Sequence, residues 1–255
     1  MGGVSERMQA TMDRLARATQ QAGREASSVQ LLAVSKTFPP EAVLEAARAG
    51  ARHFGENYVQ EGVGKIVRVD ERVRREFDHA GPIVWHFIGP IQSNKTRDIA
   101  ASFDWVQSVD RAKIAERLSA QRPAGRPPLE ICLQVNISGE ASKSGVTPEP
   151  GAVLALALEV VRQPNLRLRG VMGIPAPEQD PGRQRAPLAA LAGLYRALLA
   201  APELAAARAD GRCLIDTLSM GMSDDLEAAV LEGATQVRIG TAIFGARPAR
   251  TTVAA

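Results

Sequence analysis

The sequence predicts an α/β protein folded as one closed (β/α)8 barrel of TIM type, with an extra helix at its N-terminus. Three observations predict it. Eight short β-rich runs alternate with helix-like stretches along 255 residues, the pattern of a parallel sheet wrapped by helices. The runs are near-continuously apolar, as strands buried on both faces are. The first run leads into "SKTFPP", where an open doubly wound sheet would usually carry a glycine-rich fingerprint.

The elements follow in order. Residues 5–24 carry Met8, Met12, Leu15 and Ala16 at helix spacing. The first run, "VQLLAVS", ends at Lys36, and "PEAVLEAARAG" follows it as a helix closed by glycine. The second run is "RHFGE", the third "VWHFIG", and the fourth "DWVQSV" with the helical "DRAKIAERLSA" after it. "LEICLQVN" is followed by "PGAVLALALEVVRQ", and "LRLRGVMGI" by "PLAALAGLYRALLAAPEL". "CLIDTLSM" leads to "DDLEAAVLEG", and "QVRIGTAIFG" is the eighth run. About ten residues then remain, too few for an outer helix, so the N-terminal helix is expected to take that place in the ring. The segments "RPAGRPP" and "PAPEQDPGRQRAP" read as surface loops. Residues 1–4 and 248–255 read as flexible tails of a single domain spanning 1–255.

Composition narrows the function. Hydrophobic content is 45% and charged content 23%, ordinary for a globular protein. The net charge of +3 comes from 31 basic and 28 acidic residues without a dense basic run, and aromatics make up 4%, which argues against nucleic acid as a partner. Cys132 and Cys213 lie far apart in apolar runs and read as buried free thiols of a reducing compartment. Three histidines make a His/Cys metal cage improbable. The N-terminus lacks the apolar core of a signal peptide, and "MGGVSE" misses the myristoylation spacing by one position. The longest apolar run, "AVLALALEVV", is too short to span a bilayer. The expectation is a cytoplasmic protein without membrane contact, and a lone barrel with a polar exterior suits a monomer.

In such barrels the chemistry sits at the C-terminal strand ends. There the sequence places Lys36, then "FGEN" with Asn57, "PIQSNK", Asn136, and "LSMGMSDD" with Met220, Gly221, Ser223 and Asp224. Last comes "VRIGTA" with Arg238, Gly240 and Thr241. A glycine turn into a helix, free backbone N–H groups and two hydroxyls make a phosphate cradle. Arg238 lies two residues before Gly240, hence on the same strand face. Each feature has a plainer explanation. Lys36 could snorkel at a strand end. Ser223 or Asp224 could be a helix cap, with Glu227 completing a capping box. Gly240 could be a turn glycine, Arg238 an ion-pair partner, and His86 a hydrogen-bonded core residue. Their joint placement at one end of the barrel is what points to a site. A lysine and a phosphate cradle together suit a ligand with a carbonyl at one pole and a phosphate at the other. Pyridoxal phosphate fits, its aldehyde forming a Schiff base with the amine. A sugar-phosphate aldolase would use the same two elements.

The stretches "LLAVSKT", "HFGENYVQE", "WHFIGPIQSNK", "QVNISGEASKSG", "GVMGIPAP", "LSMGMSDDLEAAV" and "VRIGTAIFG" closely resemble the pyridoxal phosphate homeostasis protein family across nearly all of residues 30–246. The resemblance implies the barrel of the N-terminal domain of alanine racemase, a fold-type III cofactor barrel, with Lys36 carrying the cofactor as an internal aldimine. It implies that Ser223, Gly240 and Thr241 bind the phosphate, that Arg238 faces the pyridine nitrogen, and that Asn57, Met220 and Gly221 lie near the cofactor. An arginine there disfavours protonation of the ring and weakens it as an electron sink.

Two classes of function follow. One is a non-catalytic carrier that buffers pyridoxal phosphate or delivers it to dependent apo-enzymes; the resemblance implies this one. The other is an amino-acid racemase, which needs acid/base groups on both faces of the substrate. In the racemases the second group is a tyrosine from a further β domain. Only Tyr58 and Tyr195 are present here, and the chain is expected to end without that domain. The expectation is therefore a carrier and not an enzyme.

Overall fold

The computed structural model describes residues 3–76, 81–140, 144–178 and 180–246. Eight strands among them close a parallel barrel in chain order: β1 (Gln30–Val34), β2 (His53–Glu56), β3 (Val84–Phe87), β4 (Trp105–Val109), β5 (Leu129–Val135), β6 (Leu166–Gly173), β7 (Cys213–Ser219) and β8 (Gln236–Ile239). Closure is made by β1 against β8, with Gln30 to Ala33 in register with Gln236 to Ile239. All eight β-rich runs are strands, and the closed barrel is the fold the sequence predicts.

The helices are α1 (Val4–Gln21), α2 (Pro40–Arg48), α3 (Val59–Glu76), α4 (Thr96–Ser102), α5 (Ala112–Gln121), α6 (Pro150–Val161), α7 (Pro181–Ala200), α8 (Ala205–Ala209), α9 (Leu226–Leu231) and α10 (Thr241–Phe244). Helix α1 packs on α10, α9 and α2 and so occupies the ring position that the four-residue α10 cannot fill. Its buried stripe is Val4, Met8, Thr11, Leu15, Ala18 and Thr19, while Met12 and Ala16 face outward. Both stripes obey helix spacing, and the barrel surface selects between them. Val4 already belongs to α1, and the expected tail residues 1, 2 and 248–255 lie outside the described residues.

One expected loop is partly helical. Helix α7 begins at Pro181, six residues before Pro187. Asp180 caps it, accepting from the N–H groups of Gly182 and Arg183 at 2.8 and 3.3 Å. Proline at the first helical position after such a cap favours helix initiation. Residues 122–128 are irregular as expected, though Arg122 turns inward and donates to the carbonyls of Ala100 and Phe103 at 2.7 Å.

An apolar shell of aliphatic and aromatic side chains forms one continuous core. The lumen differs. Hydrogen bonds between non-adjacent strands cross it: Gln107 on β4 donates to Gln236 Oε1 on β8 at 2.5 Å, and Ser219 on β7 donates to Gln107 Oε1 at 2.7 Å. His86 is fully buried, bonded to Gln107 and His53 and stacked on Trp105. It is a core histidine, as the plainer reading held. Burial pushes His53 down to about 4 and His86 well below the ordinary histidine range. Cys132 and Cys213 are free and buried. Among the described residues no single helix is long and apolar enough to cross a membrane, and no three His, Cys, Asp or Glu side chains are grouped to hold a metal.

Candidate functional site

A cavity of about 200 Å³ opens at the C-terminal end of the barrel between the exits of β1, β2, β7 and β8. Lys36, Asn57, Ser223, Arg238, Gly240 and Thr241 line it, with Val34, Ile88 and Ile174 as its apolar wall. Six of the eight site residues expected from the sequence thus share one cavity.

Lys36 stands on the turn that leaves β1. The N–H of Phe38 donates to the Ser35 carbonyl at 3.1 Å, and Thr37 takes a left-handed φ of 68°. Phe38 stacks on Phe244 of α10 with ring centroids 5.2 Å apart, which ties the β1 exit to the β8 exit. Across the cavity, Ser223 and Asp224 lie in the turn before α9, because that helix begins only at Leu226. No capping box forms. Met222 N–H donates to Asp225 Oδ1 at 2.6 Å, and Glu227 instead takes Arg14 of α1 in a two-pronged pair at 2.6 and 2.5 Å. The same Arg14 donates through Nη1 to the Ser223 carbonyl at 2.7 Å, so the N-terminal helix braces this turn. Thr241 opens α10, where the first backbone N–H groups precede any intrahelical acceptor.

Arg238 lies between these poles, almost fully buried. It donates to Ser219 Oγ and to the Gly173 carbonyl, both at 2.8 Å. Burial pushes its guanidinium down to about 10, which leaves it a cation at neutral pH. Asn57 Oδ1 is buried without a hydrogen-bond partner on the cavity wall. A wall acceptor of that kind fits a ligand hydroxyl.

Met220 and Gly221 stand behind the wall. Met220 is fully buried, and its N–H donates to the Gln236 carbonyl at 3.1 Å. The Gly221 carbonyl accepts from Arg238 N–H at 2.9 Å. Gly221 has φ of +91°, and a Cβ there would lie 2.4 Å from that of Ala229, so only glycine fits. Both residues extend the β7–β8 pairing and place Arg238 without lining the cavity. Tyr58 is exposed beside a neighbouring groove, and Tyr195 sits on α7 with its hydroxyl donating to the Ile215 carbonyl at 3.1 Å.

The sequence matches the family described as alanine racemase, N-terminal domain, over residues 10–248. It is 55% identical over 247 residues to the pyridoxal phosphate homeostasis protein of Pseudomonas aeruginosa, covering 97% of each chain. Among solved structures, an unknown protein from Bifidobacterium adolescentis aligns with a TM-score of 0.82 and 35% identity over 94% of each chain. PipY of Synechococcus elongatus with pyridoxal phosphate bound aligns with a TM-score of 0.71 and 31% identity, over 95% of this chain and all of that one. The chain belongs to the pyridoxal phosphate homeostasis family, on the alanine racemase N-terminal barrel.

Two contributors to this family member's site escaped the sequence. Arg14 lies over 200 residues from the turn it braces, and nothing local announces a contact of that range. Gly89, in "FIGP", passes so close to Asn57 that a Cβ would fall 2.2 Å from the Asn57 carbonyl oxygen. A glycine at the end of the third β-rich run was its only signal.

Proposed function

We propose that this chain holds pyridoxal phosphate as a Schiff base on Lys36 and takes part in the homeostasis of that cofactor by buffering or delivering it, without substantial catalysis of its own. The observation that carries the reading is the sharing of one cavity by Lys36, Arg238 and the Ser223/Thr241 pole. A relative solved with pyridoxal phosphate bound supports it, as do the names of relatives such as that of Pseudomonas aeruginosa.

Bound pyridoxal phosphate would supply an aldehyde that condenses with the neutral Lys36 amine, losing one water. The other residues bind and orient. The Ser223 and Thr241 hydroxyls, with the N–H groups at the Gly240–Thr241 turn, would hold the phosphate. Asn57 Oδ1 would accept a hydrogen bond from the ring hydroxyl. Arg238, a fixed cation without an acceptor, would lie toward the ring nitrogen and disfavour its protonation, which would withhold the electron sink that amino-acid chemistry draws on. The cavity presents no tyrosine opposite Lys36, since Tyr58 and Tyr195 both lie elsewhere. That arrangement supports holding over racemising. The same reading has the chain working as one barrel domain, monomeric, in the cytoplasm, with dependent apo-enzymes as recipients.

The test is reduction of the loaded protein with borohydride followed by peptide mapping. Label on Lys36 is the expected result, and label elsewhere removes the assignment. Incubation with L-alanine and other amino acids tests the carrier function; turnover at about 1 per second or faster would make the protein an enzyme.

A further inference from the structure

Beneath the Lys36 turn lies a group of charges that lines no part of the cavity. Lys65, on α3 and 3% exposed, donates through Nζ to Glu56 Oε1 at 2.6 Å and to Glu61 Oε1 at 3.0 Å. Glu56, at the end of β2, is fully buried, and burial raises its carboxyl above the ordinary range against the pull of Lys65. Its Oε2 has no hydrogen-bond partner. Such a cluster is a poor source of stability, because desolvating the charges consumes most of what their attraction returns.

What the cluster does hold is the backbone on both sides of Lys36. On the strand side, Ser35 is tied twice: its carbonyl accepts from Lys65 Nζ at 2.8 Å, and its hydroxyl donates to Glu56 Oε1 at 2.6 Å. On the far side, the Thr37 N–H donates to Glu61 Oε1 at 2.5 Å. Thr37 is a β-branched residue at the third position of a turn, with φ of 68°, a place that ordinarily takes glycine. Its own hydroxyl is buried without a partner, so the side chain does not hold the turn. The carboxylate of Glu61 does, and Lys65 holds Glu61. A strained residue persists where its surroundings over-determine it.

We propose that Glu56, Lys65 and Glu61 are positioning residues for Lys36: one buried ammonium clamps Ser35 and Thr37 and so fixes the Cα from which the reactive amine is presented. A lysine side chain has four rotatable carbon–carbon bonds. Fixing its root confines the amine to the cone that meets an aldehyde in the cavity, and loss of that confinement costs the proximity on which condensation depends. The inference rests on Lys36 as the site of attachment.

The experiment uses the full chain and pyridoxal phosphate as probe, with two changes. Glu61→Ala removes the Thr37 tether at a partly exposed position. Lys65→Met combined with Glu56→Gln removes the clamp without leaving a lone buried charge. Each variant is first shown to be folded by its thermal transition. Borohydride trapping at Lys36 is then timed by peptide mapping, and amide hydrogen exchange at Thr37 is measured in the protein before loading. Trapping is expected to slow on the order of tenfold or more in both, with Thr37 exchange faster by a similar factor in Glu61→Ala. Glu61→Gln, which keeps an oxygen for the Thr37 N–H, should recover most of the wild-type rate. The inference is overturned if either folded variant traps at the wild-type rate, if Thr37 exchange is unchanged in Glu61→Ala, or if Glu61→Gln falls as far as Glu61→Ala. Wild-type protein that takes no label at Lys36 overturns the site of attachment instead, and the exchange measurement then decides the clamp alone.

Discussion

The two poles of the cavity are built by opposite means. At the β1 exit the proposed function gives the reactive group to one side chain, Lys36, whose backbone is pinned by the Glu56–Lys65–Glu61 cluster. At the β7 and β8 exits, Arg238 is the only cation among the described residues that lines the Ser223 and Thr241 side of the cavity. In the proposed function hydroxyls and turn N–H groups serve there, on a turn held in shape by Gly221 and by Arg14 reaching in from α1. A covalent bond needs one atom in one place, and a phosphate can be met by several weak donors at once. On that proposal the first pole concentrates its function in one residue, whereas the second distributes it.

That contrast can be broken most severely at Lys36. Lys36→Ala should abolish borohydride-stable labelling while leaving some reversible affinity at the other pole, measured by equilibrium dialysis of pyridoxal phosphate. Complete loss of affinity would mean that the poles are not separable. Next in size, Thr241→Val and Ser223→Ala should each weaken retention by about 1.5–3 kcal/mol, roughly ten- to a hundredfold in Kd, with the thermal transition unmoved. If one of them abolishes binding, the phosphate pole is as concentrated as the amine pole.

A smaller effect is expected from Arg14→Ala. It releases the Ser223 carbonyl and leaves Glu227 without the partner that now holds its carboxyl below the usual range. Retention should fall several-fold, about 1 kcal/mol, and labelling at Lys36 should remain. The smallest effect concerns the lumen beneath both poles. His53 and His86 are harder to protonate in the folded protein than in the unfolded chain, so the unfolded chain binds more protons in acid. The contribution of each is complete above the unfolded value of 6.5 and is lost as pH falls below it, for His53 toward about 4, at up to about 1.4 kcal/mol per pH unit for each histidine. Thermal transitions followed across that window should fall with acid, and His53→Gln should flatten the slope. Retention at both poles should fall with them, because both stand on the same lumen.

Much of the barrel was legible because local chemistry and topology agree. Apolar runs bounded by turn residues marked all eight strands, and a tail too short for an outer helix called for α1 in the ring. The start of α7 was missed where prolines suggested a loop, although Asp180 and Pro181 are cap and first-turn residues. The Ser223 and Asp224 turn was read as a helix start, and it is instead a loop whose expected cap partner, Glu227, is drawn away by Arg14.

By itself the sequence determined the strand set, the barrel order and the residue types gathered at its C-terminal end, because alternation, strand-end position and turn glycines are properties of neighbours along the chain. The tertiary structure alone decided which face of α1 is buried, that Arg14 braces Ser223, and that Met220 and Gly221 stand behind the wall and not on it. It also decided that three charges lie under Lys36. Each of these depends on residues brought together by barrel closure, and spacing along a chain carries no measure of distance across it.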